Sequence, residues 1–479
     1  MSSPAAALSS AQRNAVAELL RVSPVADELG RRFAAAGHEL HLVGGSVRDA
    51  LLGRLGDDLD FCTDAHPDRT LELVRGWADA IWETGRDFGT IGLQKNGLRL
   101  EITTYRAEAY DGVSRNPTVE YGTSLLDDLR RRDFTINAMA VSLPGHQFTD
   151  PYGGLTDLAA QVIRTPDTPA SSFSDDPLRM LRAARFAAKL RFTVDDSVIS
   201  VMTSMAADLD RITAERIRDE FTKLLSGADP VTGLRLLVDT GLADRFLPEL
   251  SGLKLEIDEH AQHKDVYEHT LIVVANAVRL EGGDGPDFVL RMAALMHDIG
   301  KPATKAVGRD GRVSFHHHEV VGARLTKQRM KAMKYPKDVI ADVVELVALH
   351  LRFYGYGRGE WTDSAVRRYV TDAGPLLPRL HKLTRSDCTT RNRRKAAALS
   401  ADYDALEERI ARLAAEEDLA RVRPDLDGNA IMELLGVPPG PIVGQAWRHL
   451  KELRLDRGPL SRDDAEAELM RWARERGHI

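Results

Sequence analysis

Residues 44–60 read Gly44-Gly45-Ser46-Val47-Arg48-Asp49-Ala50-Leu51-Leu52-Gly53-Arg54-Leu55-Gly56-Asp57-Asp58-Leu59-Asp60. A glycine turn leads into a short helix-like stretch, and two acids then alternate on what reads as a strand. Alternate strand residues share a face, so Asp58 and Asp60 can grip the same divalent cations while Asp57 faces away. Two cations held this way can activate an attacking hydroxyl and neutralise a departing pyrophosphate. Gly44 and Gly45 let main-chain N–H groups approach nucleotide phosphates, with Arg48 close behind. A paired-acid strand edge also occurs as plain solvated surface. What favours nucleotidyl transfer is the glycine turn one short helix upstream.

With 479 residues the chain is too long for one ordinary core, so several domains are expected. Cys62 and Cys388 lie far apart and do not suggest a disulfide framework, which fits a reducing, cytoplasmic setting. No apolar run is long enough to span a bilayer. The Ala/Ser-rich start has no basic-then-apolar order, so residues 1–19 read as a frayed terminus rather than a leader. A net charge of −7 argues against a general polyanion binder and asks for a local basic stripe if RNA is a partner.

The fold expected is α+β and multidomain: a head with a small mixed sheet over 20–165, a helical neck over 166–260, a second helical domain over 261–395 and a helical tail over 396–479. His41-Leu42-Val43, Leu59-Asp60-Phe61-Cys62 and Leu98-Arg99-Leu100-Glu101-Ile102 read as strands. Asn116-Pro117 and Tyr121-Gly122 mark a loop between Glu108 and Leu125. From Ser174 onward helix patterning dominates, broken at 227–230, 281–286 and 438–441, with a hairpin turn expected at 308–311.

Two further stretches carry charge in a pattern. Arg131-Arg132-Asp133-Phe134-Thr135-Ile136-Asn137 places adjacent arginines ahead of an expected helix, where guanidinium groups can clamp a triphosphate. The same stretch also reads as a surface arginine cluster with Asp133 as a helix cap. Asp175-Asp176-Pro177-Leu178-Arg179 opens a helix on which Asp176, Arg179 and Arg182 fall along one stripe. Asp176 before Pro177 is an ordinary helix start. Yet Asp can accept from an amino group while Arg donates to a ring nitrogen, and cytosine and adenine both offer that edge. Uracil and guanine offer the reverse.

Taken together, these residues resemble the class II CCA-adding tRNA nucleotidyltransferases and the related bacterial poly(A) polymerases. Asp150-Pro151-Tyr152-Gly153-Gly154-Leu155-Thr156-Asp157 looks like a third family motif, and Glu215–Glu220 like the helix that supports the base pocket. The base-selecting motif usually opens with Glu-Asp, and Asp175 stands here for the Glu. The resemblance implies a polymerase-β-like head, with Mg2+ held by the catalytic acids Asp58 and Asp60. It also implies nucleotide binding by Gly44, Gly45, Arg48, Arg131, Arg132, Asp133, Asn137, Asp176, Arg179, Arg182 and Arg185. Glu101 offers a third carboxylate, and the loop from Glu108 to Leu125 is expected to reshape the pocket between C and A. Gly89-Thr90-Ile91 and Glu101–Arg106 favour the CCA-adding branch over the poly(A) branch.

His269, His297, Asp298 and Asp387 have the order and types of an HD metal-phosphohydrolase site, suited to a divalent transition metal. His316, His317, His318 and His350 are candidates for a second metal or a phosphate, whereas His260 and His263 read as ordinary histidines. By resemblance this accessory centre hydrolyses cyclic or nucleotide phosphates at damaged RNA ends. Arg182, Arg185, Lys189 and Arg191, with Arg391-Asn392-Arg393-Arg394-Lys395, are candidates for the basic stripe, though each also serves to solvate a helix. The partners expected are tRNA, CTP and ATP, with no membrane; a homodimer is compatible with this reading. Poly(A) synthesis, addition of only CC or only A, a nucleotide phosphohydrolase with a sensing head, and a non-catalytic RNA-binding module are the alternatives.

Overall fold

The computed structural model describes residues 24–54, 56–108, 119–254, 265–283, 285–309, 313–353, 361–390, 392–416 and 423–479. The frayed-terminus expectation, the tip of the 108–125 loop, most of the 308–311 turn, His260, His263 and Arg391 lie outside them. The chain divides into two compact units, Met1–Phe246 and Leu247–Ile479.

Among the described residues, nine strands lie between Leu40 and Thr149. These are β1 (Leu40–Val43), β2 (Asp58–Thr63), β3 (Ala80–Trp82), β4 (Thr90–Lys95), β5 (Leu98–Thr104), β6 (Arg106–Glu108), β7 (Val119–Tyr121), β8 (Ala140–Leu143) and β9 (Phe148–Thr149). Seven form one mixed sheet in the order β3-β4-β5-β2-β1-β8-β9, while β6 and β7 pair separately. β2 and β5 run parallel with Asp58 opposite Arg99 and Asp60 opposite Glu101; the other pairs in the main sheet are antiparallel. Leu59 and Phe61, on the other face of β2 from the acids, are buried together with Leu100 and Ile102 of β5. This is the alternation a one-sided sheet requires.

One expectation fails locally. The stretch after Arg132 is not a helix but a single 3-10 turn, Thr135–Asn137, followed by β8. Ala138, Ala140 and Val141 are fully buried, and β8 is claimed by pairing with β1 from Leu40↔Leu143 to Val43↔Ala140. Tertiary pairing therefore overrides a pattern that read as helical. Asp133 accordingly caps no helix there: its carboxylate accepts from the Phe134 N–H and the Asn137 amide.

Beyond these strands the unit is mostly helical, apart from a short parallel pair of Val162–Ile163 with Thr193–Val194, with the helices Leu178–Leu190, Ala214–Leu225 and Pro230–Asp239 packed around Ala184, Phe221 and Leu234. In the second unit, helices Val266–Leu280, Phe288–Met296, His318–Ala332, Lys337–Leu349 and Leu377–Asp387 bury an apolar core including Val274, Leu295, Val343 and Leu380. Three C-terminal helices close their own core around Ile431, Leu450, Leu469 and Trp472. Cys62 and Cys388 are both unpaired.

Candidate active sites

β1 delivers the chain to Gly44, whose φ of 68° is left-handed and suits glycine. A Cβ there would sit 3.0 Å from Arg132 Nη1 and 3.8 Å from Asp60 Oδ2, so the turn lies between the arginine and the acid. The helix Gly45–Leu51 starts immediately after it. Its Ser46 hydroxyl donates to the Asp58 carbonyl at 3.3 Å and accepts from the Asp60 N–H at 3.0 Å. Ser46 thus fastens the glycine turn to the acid-bearing strand, a role the sequence reading did not assign.

Asp58 and Asp60 are exposed on one face of β2, and the register brings Glu101 beside Asp60. Although Asp60 is exposed as a residue, partial desolvation of its carboxyl raises it above the ordinary aspartate value, and the charges of Glu101 and Asp58 push the same way against the pull of Arg132 and Arg48. Like charges crowded together in this way favour a cation between them. Oxygen-only donors suit a hard divalent ion.

Behind this face lies a buried polar network. Arg48 donates from Nε to Asp49 at 2.8 Å and from Nη1 to Asn137 Oδ1 at 2.5 Å. The Asn137 amide donates to Asp133 at 2.9 Å, and Arg182 Nε reaches the other Asp133 oxygen at 2.8 Å. Glu220, also buried, lies 2.6 Å from Arg185 and 3.7 Å from Arg182. Phe186 sits beneath the Arg48, Arg182 and Arg185 guanidinium groups. Arg182 and Arg185 are therefore occupied within the head, leaving Lys189 and Arg191 exposed at the end of that helix. Arg132 pairs with Asp128 at 3.1 Å, and Arg131 lies 3.9 Å from the same acid.

Asp176 does cap: its Oδ1 accepts from the Leu178 N–H at 3.1 Å. Its other oxygen accepts from Arg216, on the helix Ala214–Leu225, at 2.8 Å. Arg179 donates to the Ser172 carbonyl and hydroxyl and, at 2.6 Å, to the Arg131 carbonyl. The two residues are held separately, each with hydrogen-bonding capacity left over. The Asp150–Asp157 motif is a brace. Asp150 accepts from the N–H groups of Gly154 and Leu155, a Gly154 Cβ would meet the Thr135 carbonyl at 2.2 Å, and Thr135 donates to Asp157 at 2.7 Å.

In the second unit, His269, His297 and Asp298 form one buried group whose ligand atoms lie within 4.8 Å, and Asp298, His318 and His350 form another. Asp387 Oδ1 lies 3.0 Å from His269 Nε2 and 3.6 Å from His297 Nε2. Nδ1 of His297, His318 and His350 each bonds a backbone carbonyl three residues earlier, at 2.7–2.8 Å. That contact fixes the rings with Nε2 directed inward. His350 Nε2 is buried without a hydrogen-bond partner and His318 Nε2 faces only Asp298 Oδ1, at 3.3 Å, which fits metal ligation, while Asp298 Oδ2 also lies 2.8 Å from the Lys301 ammonium. Gly300 makes the approach feasible, since a Cβ there would meet the His318 carbonyl at 2.1 Å. His316 and His317 point outward, so of the three consecutive histidines only His318 joins the centre.

Three family descriptions match in order: the Poly A polymerase head domain over 40–164, the probable RNA and SrmB-binding site of polymerase A over 191–253, and the HD domain over 266–414. The chain is 36% identical over 447 residues to an A-adding tRNA nucleotidyltransferase of Deinococcus radiodurans, covering 91% of this chain and 95% of that protein. It belongs to the tRNA nucleotidyltransferase family. A CCA-adding enzyme of Levilactobacillus brevis is 40% identical over 224 residues, 47% of this chain and 55% of that one. Among solved structures, the Bacillus stearothermophilus CCA-adding enzyme in complex with CTP superposes with a TM-score of 0.68 at 25% identity, over 95% of this chain and 98% of that one. A Thermotoga maritima CCA-adding enzyme complexed with tRNA shares the fold, with a TM-score of 0.60 at 19% identity, 95% coverage of this chain and 98% of that one. Membership implies use of a divalent metal. No helix among the described residues is long and apolar enough to cross a membrane.

The buried network has a measurable acid signature. Burial pushes the Asp133 carboxyl up, but Arg182, the Asn137 amide and Arg179 outweigh it and hold the group at about 2, against an ordinary 3.8. A depressed carboxylate contributes stability that is full above the ordinary value and is lost as pH falls toward the folded one. Asp133→Asn should therefore remove on the order of 2 kcal/mol at pH 5 and much less near pH 2. Urea denaturation of both proteins across that range checks it.

Proposed function

We propose that the enzyme adds CMP and AMP residues to the 3′ end of tRNA, completing CCA without a nucleic-acid template, and that an accessory HD centre acts on phosphoesters. The observation that carries the reading is the open row of Asp58, Asp60 and Glu101, set beside a glycine turn and flanked by Arg132. Asp58 and Asp60 would hold Mg2+, which when bound lowers the barrier to attack by the terminal hydroxyl and stabilises the leaving pyrophosphate. Gly44 and Gly45 supply close main-chain approach to the triphosphate, and Arg131 and Arg132 supply positive charge. The Arg48–Asn137–Asp133–Arg182 network sets the wall on which the ribose would rest.

Asp176 and Arg179 read the base, accepting from the amino group and donating to the ring nitrogen of cytosine or adenine. Arg216 holds the first; Ser172 and the Arg131 carbonyl hold the second. His269, His297, Asp298 and Asp387 would hold one transition metal, and Asp298, His318 and His350 offer a second position.

The near whole-length likeness to an A-adding relative makes addition of A alone the second reading. One assay separates them. Purified protein is incubated with tRNA ending at the discriminator base or ending in CC, with labelled CTP and ATP alone and together. CCA addition predicts two C from CTP alone and a final A when both are present. Labelling of only the CC-ending tRNA, and only by ATP, selects the second reading. Long A tracts on unrelated RNA reject both.

A further inference from the structure

The catalytic face of the sheet carries an aromatic residue that the reaction above leaves unused. Trp82 on edge strand β3 pairs with Gly92 on β4, Gly92 pairs with Glu101 on β5, and Glu101 pairs with Asp60 on β2. Directly paired residues share a face, so Trp82, Gly92, Glu101 and Asp60 form one lateral row. Gly92 has no side chain to fill its place in that row. The indole lies down into the gap, and a Cβ on Gly92 would come within 1.9 Å of its Nε1. The ring thus leans inward from the sheet edge, and Gly92 is roughly 10 Å, two strand spacings, from Asp60.

Arg99 shares the same face through its pairings with Asp58 and Gln94. Its guanidinium carbon is 5.3 Å from the Trp82 ring, and it also reaches Glu101 at 3.6 Å. Its side chain is 59% exposed. Covering a glycine accounts for one face of the indole. It does not account for an exposed arginine beside that ring, in line with the acids.

We propose that Trp82, with Arg99, is the platform on which a base at the 3′ end of the acceptor strand stacks while the terminal hydroxyl reaches Asp58 and Asp60. This rests on the nucleotidyl-transfer reading. Unpaired RNA bases stack on aromatic side chains with little regard to sequence, as an enzyme serving every tRNA requires. An arriving base exchanges the arginine–indole contact for a stack, and the released guanidinium is then placed to pair with the adjoining phosphate. Attack lies one to two nucleotide lengths away, so the platform positions the primer rather than the triphosphate.

Steady-state kinetics on tRNA ending at the discriminator base, with CTP, give the test. Trp82→Ala should raise the KM for tRNA about tenfold, the loss of one stacked base, with the KM for CTP little changed. Trp82→Phe should restore most of the affinity, and Gly92→Ala, which expels the indole, should imitate Trp82→Ala. A tRNA with 2-aminopurine at its 3′ end should be quenched by wild type and Trp82→Phe but not by Trp82→Ala. Should Trp82→Ala fail to fold, photo-crosslinking of wild type to tRNA ending in 4-thiouridine decides, an adduct within 80–101 supporting the platform and one elsewhere overturning it. A Trp82→Ala enzyme with wild-type KM for tRNA and full quenching also overturns it. A wild-type protein that extends no tRNA sinks the parent reading, and this one with it.

Discussion

Asp60→Asn should lower nucleotide incorporation into tRNA by about a thousandfold or more, with the protein still folded and still binding triphosphate. Asparagine keeps the size of the side chain and leaves the main-chain bond from the Asp60 N–H to Ser46 in place. What it removes is one of the negative charges that Asp58 and Glu101 crowd against. Charge aimed at a reacting phosphate in a preorganised site contributes several kcal/mol to the transition state, which corresponds to a rate loss of this size. Asp58→Ala should behave alike, since the two acids share one face of β2. Asp57→Ala is the internal control: it precedes that strand, is exposed, and enters through its carbonyl, which accepts from the Arg99 N–H. Single-turnover incorporation of labelled CMP measures all three. Retention of activity within tenfold in Asp60→Asn would remove the acid pair from the chemistry.

The acid pair was readable because two physical facts act locally: a strand alternates its faces, and a glycine turn permits close backbone approach. The strands His41–Val43 and Leu98–Ile102 were readable for the same reason. Register was not. Nothing in a linear sequence says that Asp60 will lie opposite Glu101, or that Gly92 will sit between Glu101 and Trp82, so the aromatic end of the row stayed hidden. Ser46 was hidden similarly, because its partners are main-chain groups twelve and fourteen residues away.

The stretch after Arg132 reads as helix in sequence but is drawn out of that form because its end, from Ala140 on, pairs with β1, almost a hundred residues distant in the chain. The histidines at 316–318 show a finer limit. Composition could nominate all three, but the start of the helix His318–Ala332 and the close approach of Gly300 choose the one that faces Asp298. The proposed base-reading pair shows the reverse ambiguity: in sequence, helix cap and recognition residue are rival readings of Asp176, yet Asp176 caps with one oxygen while the other lies against Arg216.

His297→Ala should abolish tight divalent-metal binding and any phosphohydrolase activity of the second unit while leaving CMP incorporation within about twofold of wild type. His297 Nε2 lies 3.3 Å from His269 Nε2, 3.2 Å from Asp298 and 3.6 Å from Asp387, so its loss opens the middle of the ligand set. Burial alone would depress His269, but the bond and charge of Asp387, with the charge of Asp298, hold it above the ordinary histidine value. His350 behaves oppositely: burial first, then His297, lower it to about 4, so its lone pair is available at neutral pH. A metal therefore competes with a proton more at His269 than at His350. Affinity should fall as pH drops below neutrality. Calorimetric titration of the protein with Mn2+ or Ni2+ between pH 6 and 8, alongside hydrolysis of a 2′,3′-cyclic phosphate, reads both effects. Equal loss of incorporation and hydrolysis in His297→Ala would mean that the two units do not act as separate centres.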